Sequence, residues 1–101
     1  MKLMICITNK KYGSSLIKTL GKNGYGVTKL ASTGGFLKEG NDTLLIGVGN
    51  QDVSELKQLM KASVEELEKQ KGWKPKEHRF TSFVINGQNF LPLLHKNKHN
   101  D

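Results

Sequence analysis

Four segments of the chain have the hydrophobic pattern of β-strands. Residues 3–7 and 43–48 are almost continuously apolar, which is typical of strands covered on both faces. Residues 25–32 are rich in β-forming side chains but mixed on both faces, and residues 80–85 are also predicted to form a strand. The pattern therefore predicts four strands separated by segments of a different periodicity.

The segment between the first two strands has helical spacing. Leu16, Ile17 and Leu20 recur at intervals of one, three and four residues, and Ser14 and Ser15 are candidate helix caps. Glycines at positions 21, 24 and 26 follow, and glycine commonly ends a helix. We predict a first helix that contains these apolar residues and stops before the second strand.

A longer amphipathic helix is predicted after the third strand. Its start is indicated by Asp52 and Glu55, which have the spacing of a reciprocal capping box, and its end by Gly72. The apolar stripe consists of Val53, Leu56, Met60, Val64 and Leu67. The clustered acids Glu65, Glu66 and Glu68 are expected on the exposed side of this helix, with no role in acid–base chemistry.

The C-terminal region is predicted to form a hairpin and a tail. Asn86 and Gly87 form a tight-turn dipeptide, and residues 88–94 return as a strand in which Pro92 favours an edge position. Residues 95–101 are polar. His95 and His99 have the spacing of a helical metal pair, but we interpret them as part of that tail. We therefore predict one domain over residues 1–94, with no metal site.

The predicted order is βαββαβ with an extra C-terminal hairpin strand, which is a ferredoxin-like α+β fold with both helices on one face of the sheet. Two helices cover one face of a sheet, yet the strands at 3–7 and 43–48 are apolar on both faces. The second face needs cover, so we expect copies of the chain to assemble through it.

Charge is distributed unevenly along the chain. The net charge is +7, and residues 1–38 hold seven lysines and no acid. This asymmetry favours an anionic partner, either a phosphorylated small molecule or nucleic acid, although the lysines could also simply solvate the surface. Base reading depends largely on arginine. Arg79 is the single arginine beside fifteen lysines, so nucleic acid is the weaker alternative.

Composition excludes several other classes of protein. No run of eighteen apolar residues occurs, so we expect no membrane span, and the N-terminus lacks the pattern of a signal peptide. The single cysteine, Cys6, lies in an apolar strand and cannot form an internal disulfide. No local catalytic triad or cofactor motif is present. We expect a cytoplasmic, non-enzymatic domain without a cofactor.

Residues 28–41 form the most distinctive segment of the chain. Adjacent Gly34 and Gly35 allow backbone N–H groups to converge on an anion, and Phe36 offers a ring that can stack on a base. Asn41 can both donate to and accept from a purine edge, and Lys29 adds positive charge. The alternative is a turn whose glycines serve only backbone geometry, with Phe36 buried as a plug. Spacing alone leaves both interpretations open.

The segment T-K-L-A-S-T-G-G-F-L-K-E-G-N-D-T-L-L-I-G-V, residues 28–48, resembles the strand–loop–strand of the PII-like cyclic di-AMP receptor family. That family has a nearly identical T-K-L-A-T-T-G-G-F-L core followed by G-N-x-T. Departures from the family pattern are Gly24 in place of an asparagine, Gly26 in place of an arginine, and a short connection at residues 71–79.

The resemblance implies a PII-like homotrimer that senses cyclic di-AMP, or a related adenine nucleotide, in clefts between subunits and signals to a downstream protein. By position, the resemblance assigns ligand binding to Asn23, Thr28, Lys29, Gly34, Gly35, Phe36, Leu37, Asn41 and Gly47. Phe36 would stack on an adenine and Gly47 would let the ligand lie against the strand. A degenerate trimer that serves only as an interaction scaffold is the alternative.

Overall fold

A computed structural model of the chain describes residues 1–34, 39–76 and 78–86, which form two helices and a four-stranded sheet. The elements are β1 (Lys2–Asn9), α1 (Lys10–Lys22), β2 (Gly26–Ser32), β3 (Asn41–Val48), α2 (Val53–Lys71) and β4 (Phe80–Asn86). The predicted element order is confirmed over this part of the chain. The predicted hairpin strand at 88–94 and the tail lie outside the described residues.

The sheet has the strand order β2-β3-β1-β4, and each neighbouring pair is antiparallel. This is the ferredoxin-like order, in which β3 separates the two strands that α1 connects. The register places Ile5 opposite Leu45 on one side and Phe83 on the other. The predicted α+β, ferredoxin-like fold is therefore confirmed.

Side-chain alternation divides the sheet into two faces. Even-numbered residues of β1 and β3 are buried against the two helices, since strand side chains alternate with a period of two. The core consists of Met4, Cys6, Tyr12, Leu16, Leu20, Leu44, Ile46, Val48, Leu56, Met60 and Val64. Within it, burial raises the pKa of the Cys6 thiol to about 11, so Cys6 is packed as a small, uncharged apolar residue.

The first helix begins earlier than its apolar spacing predicted. Asn9, not Ser14 or Ser15, is the N-cap, and its side-chain oxygen accepts from the backbone N–H of Lys11 at 3.0 Å. The predicted serine caps are therefore wrong. The apolar stripe extends back one turn through Tyr12, which is 1% exposed and continues the four-residue spacing of the later leucines.

The second helix begins and ends as predicted, but its cap differs. Asp52 is the N-cap, yet its side chain makes no capping hydrogen bond, so the predicted capping box is not formed. Its backbone has φ −103° and ψ 1°, outside the extended region that aims an N-cap side chain at the first helical amides. Gly72 ends the helix with φ +69°, a left-handed conformation that favours glycine.

The second sheet face carries apolar side chains that neither helix covers. Leu3, Ile5 and Leu45 are partly exposed at its centre, and Phe83 is 54% exposed on β4. We call this surface, the odd-numbered positions of β1, β3 and β4, the open face. The sequence-based expectation of an apolar face that needs cover agrees with this arrangement within the described residues.

Candidate ligand-binding surface

The loop between β2 and β3 is closed at its base by backbone contacts. The N–H of Thr33 donates to the carbonyl of Asn41 at 2.8 Å, and the Thr33 hydroxyl lies 3.3 Å from both the N–H and the carbonyl of Asn41. We call residues 33–34 and 39–41 the loop neck. Asn41 is therefore held at the start of β3 by its contacts with Thr33.

Two glycines make this neck narrow. Gly34 has φ +91°, a backbone conformation that L side chains rarely adopt. A side chain at Gly40 would collide with the carbonyl oxygen of Thr33. Gly34 and Gly40 therefore allow the two backbone segments of the loop neck to approach each other closely. Gly35, Phe36, Leu37 and Lys38 lie outside the described residues, so their predicted ligand contacts stay predictions.

The N-terminus of α1 is hydrogen-bonded to the loop neck. The backbone N–H of Lys10 donates to the carbonyl of Gly40 at 2.9 Å, and the Asn9 amide donates to a carboxylate oxygen of Glu39 at 3.2 Å. Asn9 thus caps the helix with its oxygen and holds the neck with its nitrogen. The arrangement brings the first turn of α1 next to the base of the loop.

The sheet separates two of the residues that the sequence analysis placed together. Thr28 is opposite Leu45 on the open face, whereas Lys29 is on the helix side. The ammonium of Lys29 lies 3.7 Å from the buried carboxylate of Asp42, whose other oxygen accepts from the Ser32 hydroxyl at 2.7 Å. Lys29 therefore neutralises a buried acid beside α1.

The remaining predicted residues lie at opposite ends of the sheet. Asn23 caps the C-terminal end of α1, where its side-chain amide donates to the carbonyl of Thr19 at 2.8 Å. Gly47 is opposite Gly26 at the same end. Asn41 lies six residues before Gly47 along β3, which corresponds to about 20 Å at the usual rise of a strand. One copy of the chain does not bring these two groups together.

Gly24 and Gly26, the two departures from the family pattern, differ structurally. Gly24 has φ +87°, a conformation that asparagine also adopts more readily than most residues. Gly26 has no positive φ, and an added Cβ would meet nothing within 4 Å. The backbone at position 24 thus suits either residue type, while position 26 has room for a larger side chain.

A buried charged cluster joins α2 to the start of β4. Arg79 donates two hydrogen bonds to the Glu68 carboxylate, at 3.0 and 2.9 Å, and the Tyr12 hydroxyl donates a third at 2.7 Å. Glu68 is 2% exposed, so the prediction that it lies on the solvated side of α2 is wrong. The hydrogen bonds from Arg79 hold the pKa of Glu68 down to about 2, against the opposing effect of burial.

The sequence contains one signal of this cluster. Glu68 follows Val64 by four residues and Leu67 by one, which places it at the margin of the buried stripe. The single arginine of the chain lies 11 residues downstream and is brought back by the short connection. Burial of such an acid depends on a cation and a hydroxyl from other elements, and helical spacing alone does not reveal them.

The described residues contain neither a metal site nor a membrane-spanning helix. Residues 1–34, 39–76 and 78–86 contain no group of three or more His, Cys, Asp or Glu side chains that could hold a metal ion. Within the same ranges, neither helix is long and apolar enough to cross a membrane.

Comparison with known proteins adds two findings. Residues 1–72 match the family model of the cyclic-di-AMP receptor, a stretch that includes the loop neck, Thr28 and Gly47. The chain also resembles the crystal structure of a functionally unknown protein from Pediococcus pentosaceus, with 25% sequence identity and a TM-score of 0.58. That alignment covers 83% of this chain and 88% of the other.

Proposed function

Because this chain belongs to the cyclic-di-AMP receptor family, we propose that it senses cyclic di-AMP as a PII-like signal-transduction protein of the cytoplasm. It binds this ligand, catalyses no reaction and passes the binding event to another protein. The observation that carries the proposal is the family match over residues 1–72, which contain all nine of the residues predicted to bind ligand.

The charge of the chain supports an anionic ligand of this kind. Residues 1–38 carry seven lysines and no acid, and cyclic di-AMP carries two phosphodiester groups. Positive potential around a binding surface raises the local concentration of such a ligand. The scarcity of arginine argues against nucleic-acid binding. It does not argue against the receptor proposal, because cyclic di-AMP is a small ligand.

The arrangement of the site supports binding between subunits. Asn23 and Gly47 lie at one end of the sheet, and Asn41 lies with the loop neck at the other. A cleft in which one end of a subunit meets the opposite end of its neighbour unites the two groups. We propose a homotrimer that buries the open faces and holds one ligand in each cleft.

Within this cleft, the role of Phe36 is to stack on an adenine, with Gly35 and Leu37 beside it. Stacking of a base on an aromatic side chain is worth about 1–3 kcal/mol. Thr28 and Asn41 supply hydrogen bonds to base or phosphate, and Gly47 leaves room for the ligand against β3. Lys29 lies on the helix side, where its ammonium offsets the buried carboxylate of Asp42, so the other lysines of residues 1–38 supply the excess positive charge around the site.

A thermal-unfolding titration with cyclic di-AMP tests the proposal. Ligand at about a hundred times its Kd adds about 2.7 kcal/mol to the free energy of unfolding. Phe36→Ala should abolish most of this stabilisation, while Phe36→Tyr, which keeps a stacking ring, should retain it. If the folded wild-type protein shows no shift at millimolar cyclic di-AMP, the receptor proposal fails and the scaffold alternative remains.

A further inference from the structure

The carboxylate of Asp42 lies between β2 and the first turn of α1. Asp42 is 2% exposed and directly follows Asn41 at the start of β3. One of its oxygens accepts a hydrogen bond from the Ser32 hydroxyl at 2.7 Å, and the other lies 3.7 Å from the Lys29 ammonium. Removing a carboxylate from water is costly unless a cation and hydrogen bonds compensate it. The position of Asp42 therefore depends on both partners.

A β-bulge in β2 brings these two partners to the same side of the sheet. In a regular strand, residues three positions apart point to opposite faces. The register of β2 against β3 shifts after Lys29, so Leu30 is the extra residue of the bulge. Lys29 and Ser32 consequently both lie on the helix side, beside Asp42. The bulge thus directs a cation and a hydroxyl of one strand at a single carboxylate.

The absence of a side chain at Gly13 makes room for this carboxylate. A Cβ at Gly13 would overlap the Asp42 oxygen that faces Lys29. The first turn of α1 contains no acidic residue, so Asp42 supplies a negative charge near the N-terminus of the helix, where the helix dipole favours one. Asp42 therefore joins β2, β3 and α1 at one point.

This junction adjoins the loop neck. Ser32 and Asp42 are opposite each other in the sheet, and the next residues toward the loop, Thr33 and Asn41, close the neck through their backbones. Asn41 is exposed and is one of the residues predicted to bind ligand. A displacement of Asp42 would therefore move Asn41 and loosen the base of the loop.

We infer that Asp42 is a positioning residue for ligand binding, which fixes the loop neck and Asn41 by holding the end of β2 against α1. Lys29 acts on the ligand only through this carboxylate and makes no contact with the ligand. This role differs from the direct ligand binding that the family resemblance assigns to Lys29. The inference rests on the proposed function, since its effect on affinity requires that cyclic di-AMP binds beside the loop neck.

Two substitutions disturb the junction in different ways. Asp42→Asn keeps the size and one oxygen of the side chain but removes the charge that faces Lys29. Gly13→Ala leaves Asp42 unchanged and places a methyl group where its carboxylate lies. The matched controls are Glu66→Gln, which removes the charge of an exposed acid, and Gly21→Ala, which adds a methyl group to the same helix where nothing lies within 4 Å.

Calorimetric titration of the full-length protein with cyclic di-AMP is the first measurement, at a temperature where circular-dichroism melts show every variant folded. We expect Asp42→Asn and Gly13→Ala each to weaken binding about tenfold, because a preorganised neck is lost, and both controls to change it by less than about twofold. Loss of a negative charge by itself strengthens the binding of an anion. Weaker binding by Asp42→Asn therefore separates positioning from long-range electrostatics.

A double-mutant cycle tests the role of Lys29. Lys29→Met should weaken binding in the wild-type background, because it leaves the buried Asp42 without its cation. In the Asp42→Asn background the same substitution should cost less than about a further twofold, since the two residues act through one contact. A further loss of about tenfold in that background would assign Lys29 a direct contact with the ligand.

Amide hydrogen exchange tests the junction without a ligand. The Thr33 N–H donates to the carbonyl of Asn41 across the loop neck. Local opening of the neck exposes this N–H to exchange. It should exchange at least about fivefold faster in Asp42→Asn than in Glu66→Gln.

Three results overturn the inference while the proposed function stands. They are wild-type affinity for cyclic di-AMP in either Asp42→Asn or Gly13→Ala, the further loss with Lys29→Met, and equal Thr33 exchange in Asp42→Asn and the wild type. If the wild-type protein does not bind cyclic di-AMP, the proposed function fails. The exchange of Thr33 then decides by itself whether Asp42 fixes the loop neck.

Discussion

At the scale of single residues, Glu68 connects three parts of the molecule. Its carboxylate joins α2 to Arg79 at the start of β4 and to Tyr12 of α1, and Tyr12 packs edge-on against Trp73 with ring centres 6.0 Å apart. The Thr8 hydroxyl adds a hydrogen bond to the carbonyl of Arg79 at 2.7 Å. Trp73, in the described part of the connection after α2, is therefore packed against α1 and hydrogen-bonded to α2.

The lowered pKa of Glu68 predicts a dependence of stability on acid. Its folded-state pKa of about 2 lies below the ordinary value of 4.5, so the unfolded chain binds the proton more readily. The contribution of this group is complete above about pH 4.5 and is lost as the pH falls toward 2. We expect the free energy of unfolding in urea to fall across this interval, and Glu68→Gln to remove part of that fall.

Glu66→Gln is the matched control, because Glu66 is an exposed acid on the same helix. Its slope against pH should equal that of the wild type. Equal slopes for wild type, Glu66→Gln and Glu68→Gln would contradict the assignment of a charged, hydrogen-bonded Glu68 to the folded state.

At the scale of elements, the loop neck determines where β2 and β3 separate. Thr33 and Asn41 close the base of the loop, and α1 is tied to it through the Lys10 N–H and the carbonyl of Gly40. Because the loop neck is hydrogen-bonded to α1 as well as joined to β2 and β3, a displacement in the loop would be transmitted to the first turn of α1.

Gly40→Ala tests the role of the neck. Its methyl group would collide with the Thr33 carbonyl, so the neck must open. We expect a loss of about 1–3 kcal/mol in the free energy of unfolding, together with weaker cyclic di-AMP binding. Gly21→Ala is the control, since an added Cβ there meets nothing within 4 Å and alanine favours a helix. Gly40→Ala with the stability and affinity of wild type would show that the neck is not closely packed.

At the scale of the whole molecule, the open face is an apolar surface that neither helix covers. Ile5 and Leu45 lie at its centre, and Phe83 exposes 54% of its surface beside them. A contiguous apolar surface of this kind usually marks an interface. Burial between subunits would add apolar contact that a domain of this size lacks.

Phe83→Asp should prevent assembly without unfolding the chain. A charge at this position opposes burial of the face between subunits, while the helix side of the sheet is unchanged. In sedimentation analysis, the wild-type protein should have about three times the chain mass of 11.3 kDa, and the variant should have that of one chain. Gln58→Asp, on the exposed side of α2, should sediment as wild type. A monomeric wild-type protein would contradict the proposed trimer and its clefts.

The sequence by itself determined the order of the elements and the division of the sheet into two faces. Periods of two and 3.6 residues are local properties, so strands 43–48 and 80–85 and the helix that ends at Gly72 could be predicted within a few residues. The central motif at residues 28–41 also identified the family that the comparison confirms, because its glycines and Asn41 form an unusual local pattern.

Only the tertiary structure decided which side chains meet across elements. The burial of Glu68 depends on Arg79 and Tyr12, which other elements contribute. Such contacts join residues far apart in the chain, so no periodicity or local motif encodes them, and their free energy is determined only by the folded neighbourhood.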